Sequence, residues 1–188
     1  VAAARERWKA EQPSLDPSKL VFIDETGANT KMVRLYGRSR RGQRVVDKQP
    51  WGHWKTTTLT FGLRCDRLVA PFVLDGAMNR DAFEAYVEQL LAPTLSEGDW
   101  VILDNLSAHK SDRARELIEA RGAKLVFLPP YSPDLNPIEM AISKFKTLLR
   151  RAAERTVPDL WDKIGDLFSA FTPQECANYL AHAGYGAT

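Results

Sequence analysis

The chain has 188 residues, 44% hydrophobic and 27% charged, which is enough for one well-packed core and fits one domain better than two. Its formal net charge of +2 is too small to identify a partner, so the distribution of charge matters more than the total. Cys65 and Cys176 lie far apart, and His53, His109 and His182 show no metal-ligand spacing, which argues against a disulfide framework and against structural zinc.

The stretch 2–12, rich in Ala, Arg, Glu and Lys, predicts a short charged helix that Pro13 and Pro17 end. LVFID (20–24) is a continuous apolar run closed by an acid, which suits a buried strand. Segments 32–36, 43–47, 55–63 and 67–74 carry Val, Thr, Leu and Phe between Gly, Pro and charges, and predict strands joined by hairpins. Asn79 is placed to cap a helix over 80–92, where Phe83, Val87, Leu90 and Leu91 recur at helical spacing. WVILD (100–104) is a second buried strand closed by an acid, and AKLVFL (123–128) a third apolar strand. Between them 111–121 predicts a helix capped by Ser111 and followed by Gly122. The proline-rich loop PPYSPDLNP (129–137) leads into a helix reaching about Arg155, with Pro137 at its start, and Pro158 opens a last amphipathic helix.

This order predicts an α/β fold in which an antiparallel meander joins parallel crossovers in one mixed central sheet flanked by helices. The expected organisation is an N-terminal helix and linker (1–19), a core (20–155) and a C-terminal helical extension of the same domain (156–188). No apolar run approaches the ~20 residues of a membrane span. The N-terminus has no apolar signal core, so the expected location is cytoplasmic.

Three acids end or follow buried elements: Asp24, Asp104 and Glu139. Acids at strand ends face the crevice where α/β sheets carry their sites. Gathered carboxylates repel one another, and hard divalent cations relieve that repulsion. Each acid has a second reading. Asp24 and Asp104 could make turn hydrogen bonds at strand ends, and Glu139 could form a capping box with Asn136. Glu25 points to the opposite face if its strand continues.

The stretches VFIDETG (21–27), VILDNLSAHK (101–110) and LVFLPPYSPDLNPIE (125–139), with 34 residues between Asp104 and Glu139, resemble the mariner superfamily of transposases, particularly family 630 of bacterial insertion sequences. The resemblance runs from about Leu20 to Leu149 and is most specific over SPDLNPIE. It implies a ribonuclease H-like fold, with Asp24, Asp104 and Glu139 as catalytic residues binding two Mg²⁺ ions, for which Mn²⁺ could substitute. It also implies insertion at TA dinucleotides and allows a homodimer. Asn105 and His109 would orient phosphates or organise a turn, and Asp134 would shape its loop. Two departures stand out. Relatives carry an N-terminal helix-turn-helix region, for which 2–12 is too short, so that region is expected to be missing or separate. MAISKFK also replaces the polar and aromatic residues usual after the third acid.

Stretch 31–64 holds nine basic residues against Asp47 alone, with Trp51, His53 and Trp54 among them. Such a strip beside an acidic site suits a phosphate backbone. Arg38, Arg40, Arg41, Arg44 and Lys55, with His109 and Lys110, are the expected DNA-binding residues. Trp51 or Trp54 would stack on a base or pack into the core. Lys144, Lys146, Arg150 and Arg151 form a second basic face or a solvated one. The expected activity is metal-dependent cleavage and strand transfer on transposon ends and target DNA. The rivals are another ribonuclease H-like nuclease and a non-catalytic DNA-binding protein descended from a transposase.

Overall fold

A computed structural model describes residues 1–51, 55–105 and 109–186. His53 and Trp54 lie outside the described residues. The strands are β1 (Leu20–Asn29), β2 (Thr56–Leu63), β3 (Leu68–Asp75), β4 (Trp100–Leu103) and β5 (Lys124–Phe127). They form one sheet in the order β3-β2-β1-β4-β5. β1, β2 and β3 pair antiparallel, whereas β4 and β5 join β1 in parallel. The mixed sheet expected from the element order is therefore present.

The helices are α1 (Ala2–Glu11), α2 (Arg80–Tyr86), α3 (Asp112–Glu119), α4 (Ile138–Ala152), α5 (Val157–Leu167) and α6 (Pro173–His182). Asn79 and Ser111 cap α2 and α3 by accepting from the amides of Ala82 and Ala114, as their side chains predict. After Tyr86 the helix loosens into a π turn over Val87–Leu91. The C-terminal region contains two helices, α5 and α6, where the sequence pattern predicts one. Thr172 caps α6, and Pro173 opens it.

Alternation along β1 sorts its side chains between two cores. Leu20 and Phe22 pack with Ile138, Phe145 and Leu149 of α4 and with residues of α5 and α6. Val21 and Ile23 pack with Phe83, Val87 and Ile118 on the opposite face. Tyr185 ties three distant segments together: it stands edge-on to Phe22, accepts from Trp8 Nε1 at 2.9 Å and donates to Leu135 O at 2.8 Å.

The expected strands at 32–36 and 43–47 are absent. Asn29 pairs directly with Thr56, so 30–51 leaves the sheet as a long excursion in which Leu35, Tyr36, Val45 and Val46 are exposed. Their β-propensity fails because the sheet offers them no pairing partner. Trp51 is 99% exposed, so it is not a core residue.

Arg64 also departs from the basic strip. It is buried and pairs with buried Asp99 at 2.5 Å, donates to Thr94 O, and shares Asp99 with the amide of Ser96. Removing one partner of such a pair strands the other charge in the interior, at a cost of about 3–5 kcal/mol. Arg64→Met, which keeps the stem and loses the charge, is expected to destabilise the chain by about that amount in urea unfolding. A loss under about 1 kcal/mol, the range of exposed pairs, would contradict the reading.

Candidate active site

The sheet register brings the first two acids together. Leu20, Val21 and Phe22 lie opposite Trp100, Val101 and Ile102. Carried two residues further, the same register sets Asp104 beside Asp24, on the face shared by Phe22 and Ile102. α4 packs against that face and brings Glu139 in its first turn. Asp24, Asp104 and Glu139 line one cavity of about 410 Å³, with Asn105, Asn136 and the loop 128–133 as its other walls.

Asp24 is the most constrained of the three. Its Oδ1 accepts from the Glu25 amide at 2.7 Å, and its Oδ2 accepts from Asn136 Nδ2 at 2.9 Å. Burial pushes its carboxyl up to about 7 against the Glu25 hydrogen bond, and the charges of Glu139 and Asp104 push the same way. The capping box does not form, because the Asn136 side chain is turned to Asp24 and no side chain caps α4. Asn136 Oδ1 is buried without a hydrogen-bond partner among the described residues.

Asp104 is held from below by His109, which is 1% exposed. His109 Nδ1 donates to Asp104 Oδ1 at 2.8 Å and Nε2 to Glu25 Oε1 at 2.9 Å. Burial opposes the charge on this ring, but the two carboxylate hydrogen bonds prevail and raise it to about 9, so the imidazolium donates from both nitrogens at neutral pH. Phe83 packs on the ring at 4.8 Å. His109 therefore cannot reach a phosphate; it is a positioning residue for Asp104. Glu25 does leave β1 on the face away from Asp24, as alternation requires, and there it completes the clamp. Sequence reasoning singled out His109 but had no means of pairing it with Glu25.

The loop walling the cavity is braced from outside. Arg5 of α1 grips Asp134 through two 2.8 Å hydrogen bonds and reaches Tyr131 O at 3.3 Å. Tyr131 stands at φ 56°, a left-handed conformation that costs a side-chain-bearing residue about 1–2 kcal/mol, and presents a 90% exposed ring at the cavity rim. Arg38, Arg40, Arg41, Arg44 and Lys110 are exposed. Lys55 is also exposed and pairs loosely with Asp75 at 3.6 Å.

Carboxylate and amide oxygens around one cavity are the donor set that Mg²⁺ or Mn²⁺ takes, and the orphaned Asn136 oxygen and the proton-holding Asp24 fit a divalent cation. Among the described residues, no three acid, histidine or cysteine side chains are drawn tightly enough to share one ion. Glu139 is exposed and would complete the set by turning inward.

Asp24 makes stability depend on pH. Its folded carboxyl holds a proton up to about 7 and its unfolded one only to about 3.8. The folded state therefore binds more protons in that window, and metal-free stability falls as pH rises through it. In chelator, Asp24→Asn is expected to gain stability relative to wild type between pH 5 and pH 8 in urea unfolding. A difference constant with pH would contradict the burial of this charge.

A family described as DDE superfamily endonuclease matches residues 19–160. No curated protein sequence matched the chain. The Mos1 strand transfer complex is similar in structure at TM-score 0.73 and 16% identity, over 96% of this chain and 56% of that one. The Mos1 paired end complex with Mg gives 0.74 and 15%, over 96% and 57%. The catalytic domain of Mos1 mariner transposase gives 0.66 and 13%, over 97% and 83%. The chain thus spans little more than half the length of the Mos1 chains in the complexes. The fold is ribonuclease H-like, a mixed five-stranded sheet flanked by helices. With the match covering most of its length, the chain belongs to the DDE superfamily endonucleases.

Proposed function

We propose that the chain is the catalytic domain of a mariner-superfamily DNA transposase, of family 630 of bacterial insertion sequences, that cuts DNA at transposon ends and joins them to target DNA. The observation that carries this reading is the convergence of Asp24, Asp104 and Glu139 on one cavity. Asp24, Asp104 and Glu139 would hold two Mg²⁺ ions, or Mn²⁺, whose charge stabilises the entering and leaving oxygens of an in-line phosphoryl transfer.

The chain's own residues prepare that chemistry. Asn136 and the Glu25 amide orient the Asp24 carboxylate, which must release its proton before it can act as a ligand. The His109–Glu25 pair fixes Asp104. In the first step water attacks a phosphodiester at the transposon end and a 3′-hydroxyl leaves. In the second, that hydroxyl attacks a phosphodiester of target DNA in the same cavity, with TA as the target dinucleotide, and the target strand's own 3′-hydroxyl leaves. The exposed Tyr131 ring at the rim offers a base a stacking surface. Arg38, Arg40, Arg41, Arg44, Lys55 and Lys110 would grip phosphates.

Phosphate contacts carry no direct sequence information. End recognition would therefore come from a helix-turn-helix region, fused or separate, and two copies would hold two ends.

The test is cleavage of end-containing DNA in Mg²⁺ or Mn²⁺. Changing residues that support a metal's ligands typically costs about 10- to 100-fold, so His109→Gln is expected to lose that much and Asp104→Asn more than about a hundredfold. Cleavage that survives Asp104→Asn or chelator contradicts the proposal. Cleavage without joining of the 3′-hydroxyl to target leaves a nuclease only.

A further inference from the structure

A second cavity, about 580 Å³, lies between the start of the 30–51 excursion and the last turns of α4. Arg34, Leu35, Tyr36, Thr147, Arg150 and Arg151 line it. Among the described residues, none of the three arginine side chains makes an ion pair or hydrogen bond. Like charges gathered without a partner repel, and an anion between them removes that cost. Arg150 and Arg151 also complement the carboxyl end of α4. That role does not account for Arg34, which comes from a different segment.

Arg34 is held in place. Arg155 Nη1 donates to Thr30 O at 3.0 Å and to Met32 O at 3.1 Å, pinning the excursion two residues before Arg34. The positive φ of Ala153, 57°, ends α4 just before Arg155. The pocket is thus built from two segments clamped together, and arginines are suited to phosphate because their planar fork matches its oxygens.

The pocket is aligned with the acidic cavity. Glu139, Ser143, Lys146 and Arg150 recur on α4 at intervals of four, three and four residues, which places them in one stripe along the helix. Arg150 follows Glu139 by 11 positions, about 16 Å along the helix axis. Because a duplex strand winds as it rises about 3.4 Å per nucleotide, that straight-line distance spans a few phosphates.

We infer that this pocket seats backbone phosphates of the DNA a few nucleotides from the bond held at Asp24, Asp104 and Glu139, with Lys146 beneath the phosphates between. The inference rests on the proposed function only for the bond's location; the pocket's affinity for DNA is separable from catalysis.

The experiment is fluorescence anisotropy of a labelled DNA duplex in chelator, across a series of salt concentrations. Every phosphate that the protein no longer neutralises lowers the salt slope by about 0.9. Arg34→Gln with Arg150→Gln and Arg151→Gln is expected to lower the slope by about two to three and to weaken binding at least about tenfold at low salt. Lys146→Gln is expected to lower it by about one. An unaltered thermal melt of each variant excludes unfolding as the cause. An unchanged slope in the triple variant overturns the inference, and so does a change in oligomeric state with DNA affinity intact, which would assign the pocket to an acidic surface of a second copy. A reduced slope in a chain that never cleaves DNA would sink the transposase reading and leave the pocket standing. Cleavage by wild type with an unchanged slope in the variant would do the reverse.

Discussion

Two carboxylates on neighbouring parallel strands, Asp24 midway along β1 and Asp104 just past the end of β4, repel each other, and much of what surrounds them holds them together in spite of it. The β1–β4 register forces the proximity. Asn136 and the Glu25 amide supply donors to one carboxylate, and the imidazolium of His109 supplies charge to the other. Glu25 keeps that imidazolium charged from the far side. The balance is incomplete, since Asp24 still holds its proton up to about 7. A pair of acids left partly uncompensated is primed for divalent cations, which displace the proton and neutralise the charge.

The rest of the molecule braces this arrangement. The α4 side of the sheet carries the larger apolar core, and through it Ile138 and Phe145 fix the helix whose first turn bears Glu139. α1 fastens the proline-rich loop through Arg5 and Asp134, while Tyr185 links Trp8 to the carbonyl of Leu135. Residues near both ends of the chain thus converge on the loop that walls the cavity. A site on rigid elements with outer supports suits chemistry that depends on placing oxygens accurately around metal ions.

Much of this was legible in the sequence, because apolar runs closed by acids are what a buried parallel strand leading into a site requires. Asp24 and Asp104 carried that signal, although β1 runs on past Asp24 to Asn29; Glu139 was marked by the helix start after Pro137, and Asn79 and Ser111 by their capping side chains. The failures share a cause: pairing depends on which segments are neighbours in space. Val45 and Val46 have strand propensity but no strand to join. Arg64 sits at the end of a basic run, yet faces Asp99 across the fold. Asn136 stands three residues before Glu139 as a capping box demands, but its side chain is turned to donate to Asp24, and its Oδ1 accepts from no backbone amide among the described residues. The His109–Glu25 contact joins residues 84 positions apart, and no local pattern announces it.

The proposed function requires Asp24, Asp104 and Glu139 to hold metal together. Crystals of the chain soaked in Mn²⁺ and measured at the manganese absorption edge test it directly. Two anomalous peaks about 4 Å apart are expected within the 410 Å³ cavity, with oxygens of Asp24, Asp104 and Glu139 as ligands and Glu139 turned inward. Manganese bound only elsewhere, or a cavity that stays empty at saturating Mn²⁺ while Asp24 keeps its hydrogen bonds, would contradict it.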